Sequence, residues 1–287
     1  MVADGCNWGK RPMEASNKAK SAFMEYMAEH LSEISTVRDA GQYMLSAISY
    51  CHNKIVEGKE DIWEAGTTTL IGSLLIPIKK SKEESKVEGK ETLKSIFVYV
   101  SIGDCKAFHF SKKTKKAYDL TKGNRKNVYD ARDSGGRLGP YVGEGAPDLR
   151  NITANYTICE EDDIILLVSD GVHDNLDPQT LGKSPKDVDE SYAHVEDWKG
   201  VITEDEAEKL KDLYMTRLLS EELICGGDDD KKLRMKVFSF GSSSEDDQLI
   251  PEKITNKIMH HCLNVTGRGR EWMEQNPKYH LTILKKY

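Results

Sequence analysis

Apolar residues recur three and four positions apart through the first sixty residues, and that spacing predicts two helices. Ala15, Ala19, Phe23, Tyr26 and Leu31 carry the stripe of the first, over about 13–31, with Lys and Glu between them. Ala40, Met44, Ala47, Ile48, Cys51 and Ile55 carry the second, which ends near Gly58. The two form an antiparallel pair, and both apolar faces need something to cover. Residues 67–78 are β-branched and apolar and suit a buried strand, whereas 79–91 are nearly all charged or small and predict an exposed hairpin loop. In 96–102, Ile96, Val98, Val100 and Ile102 face one way and Phe97 and Tyr99 the other, so this strand lies inside a layered structure. Gly103-Asp104 turns the chain, 105–110 returns, and 117–120 pairs again after the basic turn 112–116. A further apolar strand, 164–168, delivers Ser169-Asp170-Gly171 at its end. Residues 177–201 read as polar loop, followed by a helix over 203–223 (Ala207, Leu210, Tyr214, Leu218) and the acidic run Asp228-Asp229-Asp230. Pro251 opens a last helix with Ile254, Ile258 and Cys262 on one face. Helices, then strands, then helices describe an α+β layered fold without internal repeats.

Composition narrows the function. The 287 residues can bury a sizeable core, and 41 Lys and Arg against 48 Asp and Glu give a net charge of -7. No basic surface capable of tracking a phosphate backbone follows from that balance, so nucleic acid is not an expected partner. The apolar stretches 70–78 and 164–168 fall well short of the roughly 20 residues a membrane helix needs. The first residues lack a basic start followed by an apolar run, so no signal peptide is expected. Six cysteines without a CxxC pair predict reduced thiols and an intracellular setting, cytoplasmic or nuclear. On that reading the sequons at Asn151, Asn155 and Asn264 are chance matches.

Chemistry concentrates where acidic residues follow strands beside glycine: Asp4-Gly5, Gly103-Asp104 and Ser169-Asp170-Gly171-Val172-His173-Asp174. A carboxylate just past a buried strand is held rigidly with its oxygens toward a cleft, and an adjacent glycine leaves a backbone carbonyl approachable. Hard oxygen donors of this kind suit magnesium or manganese rather than zinc. Any one such pair by itself is also an ordinary turn former. Taken in order, Val2-Ala3-Asp4-Gly5, Gly66-Thr67-Thr68, 101–107 (Ser-Ile-Gly-Asp-Cys-Lys-Ala) and 164–174 (ending Ser-Asp-Gly-Val-His-Asp) resemble the metal-dependent protein phosphatases of the protein phosphatase 2C type. The stretch 133–139, with Gly135-Gly136, resembles the family's double-glycine segment. The resemblance covers roughly 2–176.

That resemblance implies a four-layer β-sandwich of antiparallel sheets flanked by helix pairs, as a single domain over 1–287 with an insertion around 177–250. It implies hydrolysis of phosphoserine and phosphothreonine in a phosphoprotein substrate, by water activated on two Mg2+ or Mn2+ ions. Asp4 then corresponds to the carboxylate bridging both ions, Gly5 to a backbone ligand and Asp170 to a carboxylate of the second ion. Asp104 and Asp174 correspond to acidic groups around a looser third ion. No residue is assigned as a catalytic acid or nucleophile, and oligomeric state is not implied.

The sequence also departs from the family. Its DGHGG segment is Asp4-Gly5-Cys6-Asn7-Trp8-Gly9 here, so Cys6 stands where the family has a histidine proposed as proton donor. His173 stands where tryptophan is usual, a packing change. The family's phosphate-gripping arginine and a further acid lie upstream of its DG segment, and its last metal carboxylate lies in a D-N strand after the final helix. Neither is found here, which reads as a domain incomplete at both its N- and C-terminal strands, with sheet edges exposed. Gly241-Ser242-Ser243-Ser244-Glu245-Asp246-Asp247 reads as solvated loop. Two functions are therefore weighed: a metal-dependent phosphatase, and an inactive pseudophosphatase that binds proteins as a scaffold. A calcium-binding domain is a third, but Asp228-Asp229-Asp230 lacks EF-hand spacing.

Overall fold

Both N-terminal stripes fold as helices and lie against each other. Helix α1 (Lys10–His30) buries Ala15, Ala19, Ala22, Phe23 and Met27, and α2 (Val37–Val56) buries Ala40, Met44, Ala47, Ile48, Cys51 and Ile55. The alanines on both faces let the helices approach closely, and the Cys51 thiol donates to the Ala19 carbonyl at 3.3 Å. A capping box starts α2: the Thr36 hydroxyl accepts from the Asp39 N–H at 3.1 Å, and the Asp39 carboxylate accepts from the Thr36 N–H at 2.8 Å. The computed structural model describes residues 1–78, 93–125, 127–129, 133–224 and 250–276, less the side chains of 222–224. The hairpin loop expected at 79–91, the acidic run at 228–230 and the Gly241–Asp247 stretch lie outside the described residues.

The helix pair covers the larger of two antiparallel sheets. Its strands are β1 (Val2–Gly5), β2 (Thr68–Pro77), β3 (Lys94–Ile102), β6 (Arg137–Val142), β7 (Ala146–Asp148) and β8 (Thr153–Glu160). They run in the order β7-β6-β2-β3-β8, with β1 also paired to β2. The second sheet is β5-β4-β9, from β4 (Lys106–Ser111), β5 (Lys116–Asp119) and β9 (Ile164–Val168). Strand β3 is covered on both faces, as its sequence predicts. Val98, Val100 and Ile102 pack toward the helices, while Phe97 and Tyr99 join Ile71, Cys105 and Ala107 between the sheets. On the far side, Phe108, Phe110 and Val168 pack against Met215 and Leu218 and against Ile254, Ile258 and Cys262. The layers are therefore helix, sheet, sheet, helix, the α+β sandwich the sequence implies.

One glycine sets the spacing of the first two layers. Gly72, in the middle of β2, lies under the Phe23 ring, and a Cβ there would run into it. Phe23 is 2% exposed, and burying such a ring contributes about 1.5–3 kcal/mol.

Strands β6, β7 and β8 are not read from the periodicity, and residues 177–201 differ from their sequence reading. Strand β8 escapes the periodicity because it is a sheet edge: among the described residues it pairs with β3 alone, and Tyr156 and Ile158 remain exposed. Residues 177–201 are not open loop. They form a short helix α4 (Pro185–Val188) and single turns at Glu190–Tyr192 and Trp198–Gly200. Their acidic residues are turn caps: Asp187 accepts from the Ser184 N–H, Asp189 from Ser191 and Asp197 from Lys199, at 2.7–2.9 Å. Val188, Val195, Trp198 and Val201 pack with Ala207 and Leu210 of helix α5 (Glu204–Arg217) into a small core of their own. Helix α5 runs into a π-helical stretch, Leu218–Ile224, whose Ser220 hydroxyl accepts from the Ala117 N–H at 2.8 Å and so covers the β5 edge. The last helix, α6 (Pro251–Gln275), buries Ile254, Ile258 and Cys262 as expected.

Candidate metal centre

Three segments of chain end or cross over at one end of the sandwich, and each delivers a carboxylate there. Asp4 lies in β1, opposite Thr69. The Thr68 hydroxyl donates to the Asp4 carbonyl at 2.7 Å and the Thr69 hydroxyl donates to it at 3.4 Å, so the Gly66-Thr67-Thr68 segment clamps the backbone that carries this acid. The Cys6 N–H extends the ladder to the Thr67 carbonyl at 2.9 Å. Asp104 lies on the crossing from β3 in one sheet to β4 in the other. That crossing needs Gly103, whose φ of 93° is left-handed and whose missing Cβ would run into Thr69. Buried Asn151 braces it, accepting from the Gly103 N–H and donating to the Gly103 carbonyl, both at 3.0 Å. Asn124 adds a bond to the Cys105 carbonyl at 2.8 Å. Asp170 follows β9 and opens the single helical turn α3 (Asp170–His173), and Asp174 comes just after that turn.

These groups line one cleft of about 430 Å³, with Asp4, Gly5, Asp104, Asp170 and Asp174 all on its wall. Trp8, 83% exposed, stands at its edge. The carboxylates divide into two pairs. Arg125 forks between Asp104 (2.9 Å) and Asp174 (3.1 Å), and all three are largely shielded from solvent. Burial acts to raise the Asp174 carboxyl, but the hydrogen bond from His173 and the Arg125 charge outweigh it and hold the group below the usual carboxylate range. Among the described residues no cation pairs with Asp4 or Asp170. The Asp170 carboxyl is pushed up to about 7, first by burial, then by its hydrogen bond to Asp4 and the negative charges of Asp104, Asp4 and Asp174.

A carboxyl pushed up by burial and by neighbouring negative charge marks a place a cation can take. Asp4, Asp170 and the Gly5 carbonyl offer only hard oxygen donors, which suit Mg2+ or Mn2+ with water completing the shell. Among the described residues no group of three or more His, Cys, Asp and Glu side chains stands ready to hold a metal. Asp104 and Asp174 are instead tied to Arg125. Burial raises the Cys6 thiol, which leaves it neutral near pH 7. His173 is 1% exposed, with Nδ1 3.2 Å from Asp174 and Nε2 without a partner. It borders a second, much smaller polar cavity of about 30 Å³, room for one water, with Arg125, Asp177 and Lys211.

All five residues singled out from the sequence stand on one wall. Arg125 and Asn151 carry no such signal, since an arginine in a basic run looks like any solvated charge, and Arg137 is marked only as part of the double-glycine stretch 133–139. Only the G-T-T resemblance points toward Thr68.

No family model matches the chain. It is 27% identical over 194 residues to the PP2C-like domain-containing protein CG9801 of Drosophila melanogaster, an alignment that takes in 63% of this chain and 24% of that protein. The chain therefore spans about a quarter of the length of the relative it matches. This likeness supports a PP2C-like, phosphatase-related domain in coarse terms. No helix among the described residues is long and apolar enough to cross a membrane.

Proposed function

We propose that the chain is a Mg2+- or Mn2+-dependent protein serine/threonine phosphatase domain that hydrolyses phosphoserine and phosphothreonine in a phosphoprotein. The observation that supports this reading is the Asp4–Asp170 carboxyl pair, brought to one cleft from two different sheets, with the Asp170 carboxyl pushed up to about 7. Asp4, Asp170 and the Gly5 carbonyl would hold the ion. When bound, a divalent ion supplies charge neutralisation and water of lowered pKa. Asp170 must release its proton to ligate, so the proton and the ion compete and ion binding strengthens as pH rises through about 7. Arg125 ties Asp104 and Asp174 in place, which favours a reading that does not need these acids for a third ion. Cys6, neutral and weakly acidic, neither attacks phosphorus nor serves as an efficient acid, so the leaving alkoxide takes its proton from water in the open cleft.

The test is hydrolysis of a phosphothreonine peptide, with Mn2+ titrated in and then removed by chelator, on the native chain and on Asp170→Asn. Turnover should appear with Mn2+, vanish with chelator and be absent in the variant. Turnover that survives chelation or the substitution overturns the metal assignment. A folded, Mn2+-binding chain without turnover would instead be a scaffold.

A further inference from the structure

Arg137 opens β6 on the wall of the same cleft, opposite Asp148 of β7 in the strand register. That aspartate does not pair with it. Asp148 faces Arg150 instead, 3.1 Å from its Nε. Arg137 is 9% exposed, its Nε is buried without a hydrogen-bond partner, and it makes no ion pair with any described residue. Its one marked contact is the Tyr141 ring, 4.3 Å from the guanidinium carbon. The contrast with Arg125 is direct: both are buried beside the carboxylates, yet Arg125 is committed to two of them. A buried guanidinium without an anion is costly, and stacking on a ring leaves the in-plane N–H edge free for hydrogen bonds. That edge is a planar fork matched to two oxygens of a tetrahedral oxyanion. Its charge reaches the cleft floor, where it acts on the Cys6 thiol against the effect of burial.

We propose that Arg137 is the residue that grips the substrate's phosphoryl oxygens in this cleft, an inference that rests on the phosphatase reading above and names its anion-holding group. The ligand class is a phosphate monoester dianion or its product, inorganic phosphate.

Calorimetric titration of inorganic phosphate into the Mn2+-loaded chain tests this, on native protein, Arg137→Met and Arg137→Lys, alongside kcat and KM for the phosphothreonine peptide. The methionine keeps an apolar stem over Tyr141 and removes a buried charge, so the variant folds without the charge it replaces. Loss of a charge-assisted, two-point contact should weaken phosphate binding by about ten- to a hundredfold and raise KM, with Mn2+ affinity unchanged. Lysine should restore part of the loss. Equal phosphate affinity in native and Arg137→Met protein, or no phosphate binding by the native chain, overturns the inference. Turnover independent of Arg137 would do so while leaving the phosphatase reading in place. Arg137-dependent phosphate binding without turnover supports the inference and overturns the hydrolase.

Discussion

The Asp170 carboxyl is pushed up to about 7 because it is buried beside Asp4, with the charges of Asp104 and Asp174 nearby and no ion pair of its own among the described residues. An unfolded aspartate titrates near 3.9, so between about pH 4 and 7 the folded chain binds the extra proton. Stability of the metal-free protein is therefore highest at the acid end of that window and falls as pH rises toward 7. Asp170→Asn should flatten this dependence and raise the melting temperature at pH 8 in chelator, while abolishing Mn2+ binding; melts at pH 5 and pH 8 read both effects. Arg125 behaves oppositely. Asp174 is held low by His173 and Arg125, so its contribution is present above the unfolded pKa and lost as pH falls. Arg125→Gln leaves two buried carboxylates uncompensated and should cost about 3–5 kcal/mol in urea unfolding at pH 8. The loss should shrink as pH falls, because the Asp174 carboxyl protonates more readily once Arg125 no longer holds it low.

Among the secondary-structure elements, α1, α2, β2 and β3 are legible in the chain because one period of apolar residues dominates each. Strand β8 is not, since an edge strand keeps Asn155, Tyr156 and Ile158 exposed and loses the alternation. Residues 177–201 mislead in the other direction, because their aspartates cap turns and their few apolar residues converge only in space. The element that fixes them is α5, through Lys211. Its buried ammonium donates to the Val128 carbonyl (2.7 Å), Asp177 (3.1 Å) and Gln179 (2.7 Å) and lies over the Trp198 ring. Burial pushes this lysine's pKa down despite Asp177. Asp177→Ala should destabilise by about 3–5 kcal/mol, whereas the double variant Asp177→Ala/Lys211→Met should recover most of the loss. Denaturant midpoints for the single and double variants measure the difference.

For the molecule as a unit, ion binding at the proposed site would be linked to folding through the sandwich, because Asp4 belongs to one sheet and Asp170 follows a strand of the other. Mn2+ at a hundred times its dissociation constant should stabilise the fold by about 2.7 kcal/mol. The rise in melting temperature at a fixed Mn2+ concentration should be larger at pH 8 than at pH 6, where the Asp170 proton competes. An equal rise at both would mean the ion binds elsewhere.

The order of the main helices and strands, the doubly covered β3 and the three carboxylates beside glycine are all present in the linear chain, since periodicity and turn chemistry are local properties. Which carboxylates are paired is not local. Arg125 reaches Asp104 from 21 positions away and Asp174 from 49, and Asn151 braces Gly103 across 48. Those distances close only when two sheets pack face to face. Packing alone therefore separates an acid pair already bound by Arg125 from the Asp4–Asp170 pair, and leaves Arg137 in the same cleft without an ion pair among the described residues.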